Sequence, residues 1–176
     1  MRMFAASAAV GGLVLLVAAA PAQAAPVPGG YTITVAHSGK CLDIRNSSTA
    51  DGAVLVQNRC DGRPSQRFTL IARTGAPDQS FLQTFAGKCL TRSGNYNSTV
   101  PVTQQPCVDN PVQWLRIRVG HPWPGESIFT VDKSGESSFS FHVDQAGTAD
   151  GAAVITHPAN GWGQGSRNDT FAFQPA

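Results

Sequence analysis

The stretch Gly39-Lys40-Cys41-Leu42-Asp43 returns as Gly87-Lys88-Cys89-Leu90-Thr91, and Phe141-His142-Val143-Asp144 echoes it with His142 in the cysteine's place. A second phrase, Thr49-Ala50-Asp51-Gly52-Ala53, recurs letter for letter as Thr148-Ala149-Asp150-Gly151-Ala152, each time shortly after an Asp-bearing motif. The copies also close alike, with Gln66-Arg67-Phe68, Gln113-Trp114-Leu115 and Asp169-Thr170-Phe171. A period of roughly 50 residues is that of repeat architectures, in which one unit cannot bury its own apolar face. Three such units must therefore share a core.

The local pattern within each unit is β. Tyr31-Thr32-Ile33-Thr34-Val35 alternates large β-formers with threonine, and Ala53–Val56 and Arg67–Ile71 are further short β-rich runs. Turn signals such as His37-Ser38-Gly39-Lys40 and Asp61-Gly62-Arg63-Pro64 separate them. Leu115-Arg116-Ile117-Arg118-Val119 alternates apolar and basic side chains, as a half-buried strand does. No window sustains a helical period. Many short strands with this spacing predict an all-β chain closed as a barrel or sandwich.

The chain's beginning has a different composition. Met1-Arg2-Met3, the small apolar run Val10–Ala20 and Ala22-Gln23-Ala24 read as the three parts of a secretory signal peptide over residues 1–24. The apolar run is shorter than the ~20 residues of a spanning helix, and Pro21 ends it. Residues 25–30 form a Pro/Gly leader, and the domain is expected over 31–176, with repeats at about 31–73, 81–119 and 128–174. Without Arg2 the balance is 12 basic against 11 acidic residues, and no basic run appears. Neither nucleic acid nor membrane insertion is expected of such a chain.

Cys41, Cys60, Cys89 and Cys107 are an even set, two in each of the first two copies, in a chain read as exported. Of the three possible pairings, the repeat register selects Cys41 with Cys60 and Cys89 with Cys107. Each such link stabilises by about 3 kcal/mol in the chain-entropy model. The spacings of a metal site are missing, and the third copy must hold without a cysteine.

Gly39-Lys40-Cys41-Leu42-Asp43, Cys60-Asp61-Gly62 and Gln66-Arg67-Phe68 resemble the ricin B-type β-trefoil lectin family, and the resemblance extends from Tyr31 to about Gln174. It implies a β-trefoil with pseudo-three-fold symmetry, in which the aromatic of each closing motif is a core residue. It also implies one shallow sugar site per repeat. In such a site an Asp after the cysteine accepts from two hydroxyls, an aromatic two residues before the second cysteine stacks on the sugar, and an Asn with Gln or Asp near the closing motif completes the grip. The chemistry is general: a carboxylate is acceptor-only and suits a vicinal diol, and a flat ring offers apolar area at little rotamer cost.

Carried across, the pattern separates the copies. The first keeps Asp43 and Gln66 but has Asn58 at the platform and Ser65 for the Asn; the second has Thr91 and Gln105. The third offers Asp144 as the carboxylate, His157 as the platform, and Asn168 with Asp169 at the closing segment. The expected carbohydrate site is therefore Asp144, His157, Asn168 and Asp169, with Asp43 and Gln66 as weaker candidates. An insertion, Gly161–Arg167, brings Trp162 near it as a second stacking surface or a cover. A turn-capping role for Asp43 competes with sugar binding.

No G-x-S-x-G, H-E-x-x-H or P-loop is present, and no catalytic residue, metal or cofactor is expected. Glu126 and Glu136 lie in Gly/Ser-rich surroundings and are not read as a hydrolytic pair. The expectation is a secreted, non-catalytic carbohydrate-binding module for galactose- or xylose-type sugars, acting mainly through the third repeat. The alternative is a trefoil without sugar binding that acts through protein contacts, such as a protease inhibitor or accessory protein, using the loop at His121-Pro122-Trp123-Pro124 or that at Trp162.

Overall fold

The computed structural model describes residues 24–94, 99–120, 125–158 and 167–176. The proposed signal sequence therefore falls outside the described residues up to position 23, as do His121–Pro124 and Trp162. Twelve strands run through the described residues, four to a copy. The first copy holds β1 (Gly29–Val35), β2 (Cys41–Ile44), β3 (Leu55–Asn58) and β4 (Arg67–Arg73). The second holds β5 (Ala76–Thr84), β6 (Cys89–Arg92), β7 (Val100–Gln105) and β8 (Leu115–Val119). The third holds β9 (Glu126–Val131), β10 (Ser137–Val143), β11 (Ala152–Pro158) and β12 (Phe171–Pro175).

The outer strands of the copies close a six-stranded antiparallel barrel: β1 pairs β4, β4 pairs β5, β5 pairs β8, β8 pairs β9, β9 pairs β12 and β12 pairs β1. The inner strands form three hairpins, β2–β3, β6–β7 and β10–β11. These meet as a triangle through β3–β11, β11–β7 and a single bridge between Val54 and Thr103. Six barrel strands capped by three hairpins is the β-trefoil. Closure leaves the barrel without unpaired sheet edges.

Side-chain alternation puts Tyr31, Ile33 and Val35 inside with Phe68, Leu70, Leu82, Leu115, Ile128 and Phe171, while Leu42, Leu90 and Phe141 fill the cap above them. Phe68, Leu115 and Phe171 are equivalent residues of the closing motifs, each at most 1 % exposed. In the second copy the expected aromatic is therefore displaced: Leu115 takes the core place, and Trp114 lies outside the barrel with the Arg73 guanidinium 3.6 Å over its ring.

The repeated Thr-Ala-Asp-Gly phrase joins one copy to another. Buried Gln57 donates to the carbonyls of Gly147 and Ala149 at 2.8 and 3.2 Å, and Gly151 N–H donates to the Gln57 carbonyl at 2.9 Å. Gln104 does the same with Ser48 and Ala50, both at 2.9 Å, and receives the N–H of Gly52 at 2.8 Å. Asp150 and Asp51 then pair with Lys40 and Lys88 of another copy. Where the third copy meets the second, Phe139 replaces the lysine, and Arg92 lies 3.9 Å over its ring.

Both expected disulfides are present, Cys41–Cys60 and Cys89–Cys107.

Candidate functional site

The hairpin registers fix which residues correspond between copies. Leu42 faces Gln57, Leu90 faces Gln104 and Phe141 faces Thr156, all of them buried. Asn58, Gln105 and His157 are thereby equivalent, as the platform assignment requires. Cys41 and Cys89 correspond to Ser140, and Asp43 and Thr91 correspond to His142, not to Asp144. The echo Phe-His-Val-Asp is out of register by two residues. Asp144 stands where the first copy has Arg45, exposed at the start of a short 3₁₀ turn (Asp144–Ala146). The carboxylate expected of the third site is therefore an imidazole.

In the first copy the polar residues are spent on each other. Asp43 is fully buried, and its Oδ2 accepts from Asn58 Nδ2 at 2.9 Å and from Gln66 Nε2 at 3.3 Å. Gln66 also donates to the Arg59 carbonyl at 2.8 Å and accepts from the N–H groups of Asp61 and Gly62 at 3.0 and 3.2 Å. Asn58 accepts from Gly151 N–H of the third copy at 2.9 Å. The half-exposed Arg63 sits over this knot, 3.8 Å from Asp43 Oδ2 and hydrogen-bonded to Asp61, whose carboxyl it holds below the usual range. Asp43 Oδ1 is buried with no partner among the described residues.

The second copy shows the same frame without a charge. Gln113 donates to Thr91 Oγ1 at 2.8 Å and to the Pro106 carbonyl at 2.9 Å, and accepts from Val108 N–H at 2.8 Å. The closing glutamine of both copies thus braces the loop carrying the second cysteine.

The third copy has no closing glutamine and no disulfide, and a different cluster fills the place. The rings of His142 and His157 lie 5.4 Å apart, tilted by 49°. Strand β10 sets His142 two residues beyond Ser140, and Ser140 faces His157 across the hairpin. One hairpin face thus carries both imidazoles. The Ser140 hydroxyl is 2.7 Å from His142 Nε2. Asn168 closes the end of β10: its side-chain Nδ2 donates to the Val143 carbonyl at 2.8 Å, and its backbone carbonyl accepts from Val143 N–H at 2.9 Å. Asp169, nearly buried, accepts from Thr170 Oγ1 at 3.4 Å.

Burial pushes the His142 pKa below its ordinary value. The Asp169 charge opposes that shift, the neighbouring His157 adds to it, and a hydrogen bond with the Asn168 side chain opposes it again. His157 itself is exposed. Three of the four expected residues, His157, Asn168 and Asp169, are thus brought together around His142, and Asp144 is left out. His142 was the residue missed, although a signal for it exists. Thr148 follows Thr49 by 99 positions, and the same step carries Asp43 to His142.

Residues 22–82 match the family model described as ricin-type beta-trefoil lectin domain-like. None of the curated protein sequences matches the chain. Among solved structures the chain is similar to the Rhizoctonia solani agglutinin, at 19 % identity and a TM-score of 0.72, covering 88 % of this chain and 100 % of that one. It is also similar to the designed three-fold symmetric protein ThreeFoil, at 25 % identity and a TM-score of 0.69, with 84 % and 99 % covered. The ricin B-like lectin of Macrolepiota procera, solved in complex with lactose, matches at 15 % identity and a TM-score of 0.67, with 88 % and 100 % covered. The chain is a β-trefoil, and over residues 22–82 it is similar to the ricin-type lectin domain. The solved structures show the fold, and the family match is confined to the first copy and most of β5.

Proposed function

We propose that this chain is a secreted, non-catalytic carbohydrate-binding module that takes galactose- or xylose-type units through the third repeat. The observation that carries the reading is the cluster of His142, His157, Asn168 and Asp169 on one hairpin and its closing segment. The exposed His157 ring supplies a flat surface at the platform position, Asp169 the acceptor, and His142 and Asn168 the polar flank. The first copy supports binding less well, because Asp43 already serves Asn58 and Gln66 beneath Arg63. A single shallow site of this kind binds weakly, and avidity requires further sites or self-association.

A glycan array with the mature protein and two variants tests this. His157→Ala should lose binding, while Asp144→Ala should bind as the unmodified protein does. Binding that survives His157→Ala removes the third repeat from the account.

One feature favours a second reading, contact with another protein. A groove of about 280 Å³ beside the second disulfide is lined by Ile71, Phe81, Gln83, Cys89, Cys107, Val108 and Asp109. By the barrel registers, Phe81 corresponds to Thr32 and Ser127, and Ile71 to Gln174 and Arg118. Of the three equivalent seams, the one between β4 of the first copy and β5 of the second carries the apolar pair, with Ile71 and Val108 exposed.

A further inference from the structure

We infer that the third-repeat site takes an acidic member of its sugar class, a hexuronate of the galacturonate kind whose carboxylate is received by the His142–His157 pair. The inference rests on the third-repeat reading above and narrows it. Its starting point is the comparison of equivalent positions: Asp43 in the first copy, Thr91 in the second and His142 in the third. An aspartate can only accept hydrogen bonds, and it suits a neutral diol whose hydroxyls donate. An imidazole can donate, and once protonated it donates from both nitrogens and carries positive charge. The change at this position turns an acceptor of hydroxyl protons into a receiver of negative charge.

The surroundings reinforce the change. A second imidazole, His157, lies 5.4 Å away on the neighbouring strand and is open to solvent. Among the described residues, the charged and titratable groups acting on His142 are Asp169 on the segment leading into β12 and His157 on β11; Asp144, just after β10, and Arg167, next to Asn168, are exposed. Asp169 is only 4 % exposed, and it favours protonation of His142. Protonation of His142 offsets the Asp169 charge, and with His142 neutral that negative charge stands uncompensated in the cluster. The cluster therefore receives an acidic sugar less readily at neutral pH than under mildly acidic conditions.

The sign of the linkage follows. In the empty site, burial disfavours the charged form of His142 and Asp169 only partly offsets this. A ligand carboxylate adds a second negative charge and favours that form, so binding is accompanied by proton uptake. Affinity for a uronate must then rise as pH falls, by up to about tenfold per pH unit for each proton taken up. A neutral hexose or pentose brings no such charge.

The experiment is a calorimetric titration of the mature protein with D-galacturonate, D-galactose and D-xylose, at about pH 5.5 and about pH 7.5 and fixed ionic strength. The same titrations are run on His142→Asp, which copies the first repeat, and on His142→Gln, which removes the charge while keeping a polar side chain. Unmodified protein should bind galacturonate on the order of tenfold more tightly at the lower pH and prefer it there to both neutral sugars. His142→Asp should lose that preference and bind a neutral sugar, and His142→Gln should lose the pH dependence even if the aspartate variant fails to fold. Equal binding of neutral and acidic sugars at both pH values would overturn the inference and leave the carbohydrate reading standing. A uronate preference that persists in both variants would overturn it too, by removing His142. No binding of any of the three sugars would overturn both.

Discussion

The hairpins of the first and third copies share one backbone and hold opposite chemistry. Each runs into a 3₁₀ turn in which two residues have left-handed torsions, Asn46 and Ser47 at φ 57° and 50°, Gln145 and Ala146 both at 50°. Each is followed by the same Thr-Ala-Asp-Gly-Ala phrase clasped by a neighbouring copy. Above that frame the first copy is sealed: a disulfide, a closing glutamine and a buried Asp43 satisfy one another. The third copy gives up all three and gains two imidazoles and a nearly buried Asp169. In this chain, the positions that brace the cap in one copy carry side chains of a different chemistry in another. On the proposed reading, stability and binding are divided between equivalent positions.

The largest test of that division is the disulfide. Replacing Cys41 and Cys60 together by alanine should cost about 3 kcal/mol in denaturant unfolding of the non-reduced protein. Sugar binding at the third copy should be unchanged at temperatures where the protein remains folded. Next is the pair of aspartates. Asp43→Ala strands the amides of Asn58 and Gln66 and should cost about 2 kcal/mol, whereas Asp144→Ala should fall within about 0.5 kcal/mol of the unmodified protein. Similar costs at the two positions would mean that the register assigned here is wrong.

A buried acid gives the next effect. Glu126 at the start of β9 is 6 % exposed, its Oε2 has no partner among the described residues, and burial raises its pKa. A raised carboxyl pKa stabilises the fold below its unfolded value near 4.5, and that contribution is lost as pH rises through the folded value. Glu126→Gln should therefore stabilise the protein by about 1 kcal/mol at pH 7 and have little effect at pH 4. His142 runs the other way: its lowered pKa makes the ligand-free protein less stable as pH falls below about 6.5. Acid melts of the first and third hairpins, followed by hydrogen exchange, should separate, with the third opening first. The smallest effect is at the left-handed turn, where Ala146→Gly should stabilise by about 0.5 kcal/mol by removing a strained Cβ.

Most of the fold was legible because its signals are local. Leu115–Val119 is a strand with the limits its alternation suggests, and the even cysteine pairs closed within their copies. The β-rich run Ala53–Val56 is shifted in the structure: the strand is Leu55–Asn58 and takes in the polar Gln57 and Asn58, which face Leu42 and Cys41 across the hairpin. The site was harder to read for a physical reason. A slip of two residues leaves every side chain on the same face of its strand, so alternation cannot distinguish Asp144 from His142 as the partner of Asp43. The long-range phrase at a fixed step does distinguish them. The meeting of His142 with His157 depends on hairpin register, which no local pattern reveals.

The measurement that tests the account most directly is a ¹H–¹⁵N titration of the mature protein with a galactose-type ligand, following the imidazole nitrogens and the backbone amides together. The account predicts that the signals of His142, His157, Asn168 and Asp169 move with one binding curve while those of Asp43, Asn58 and Gln66 stay fixed. Movement centred on Asp43 and Gln66, with the imidazoles unmoved, would contradict it.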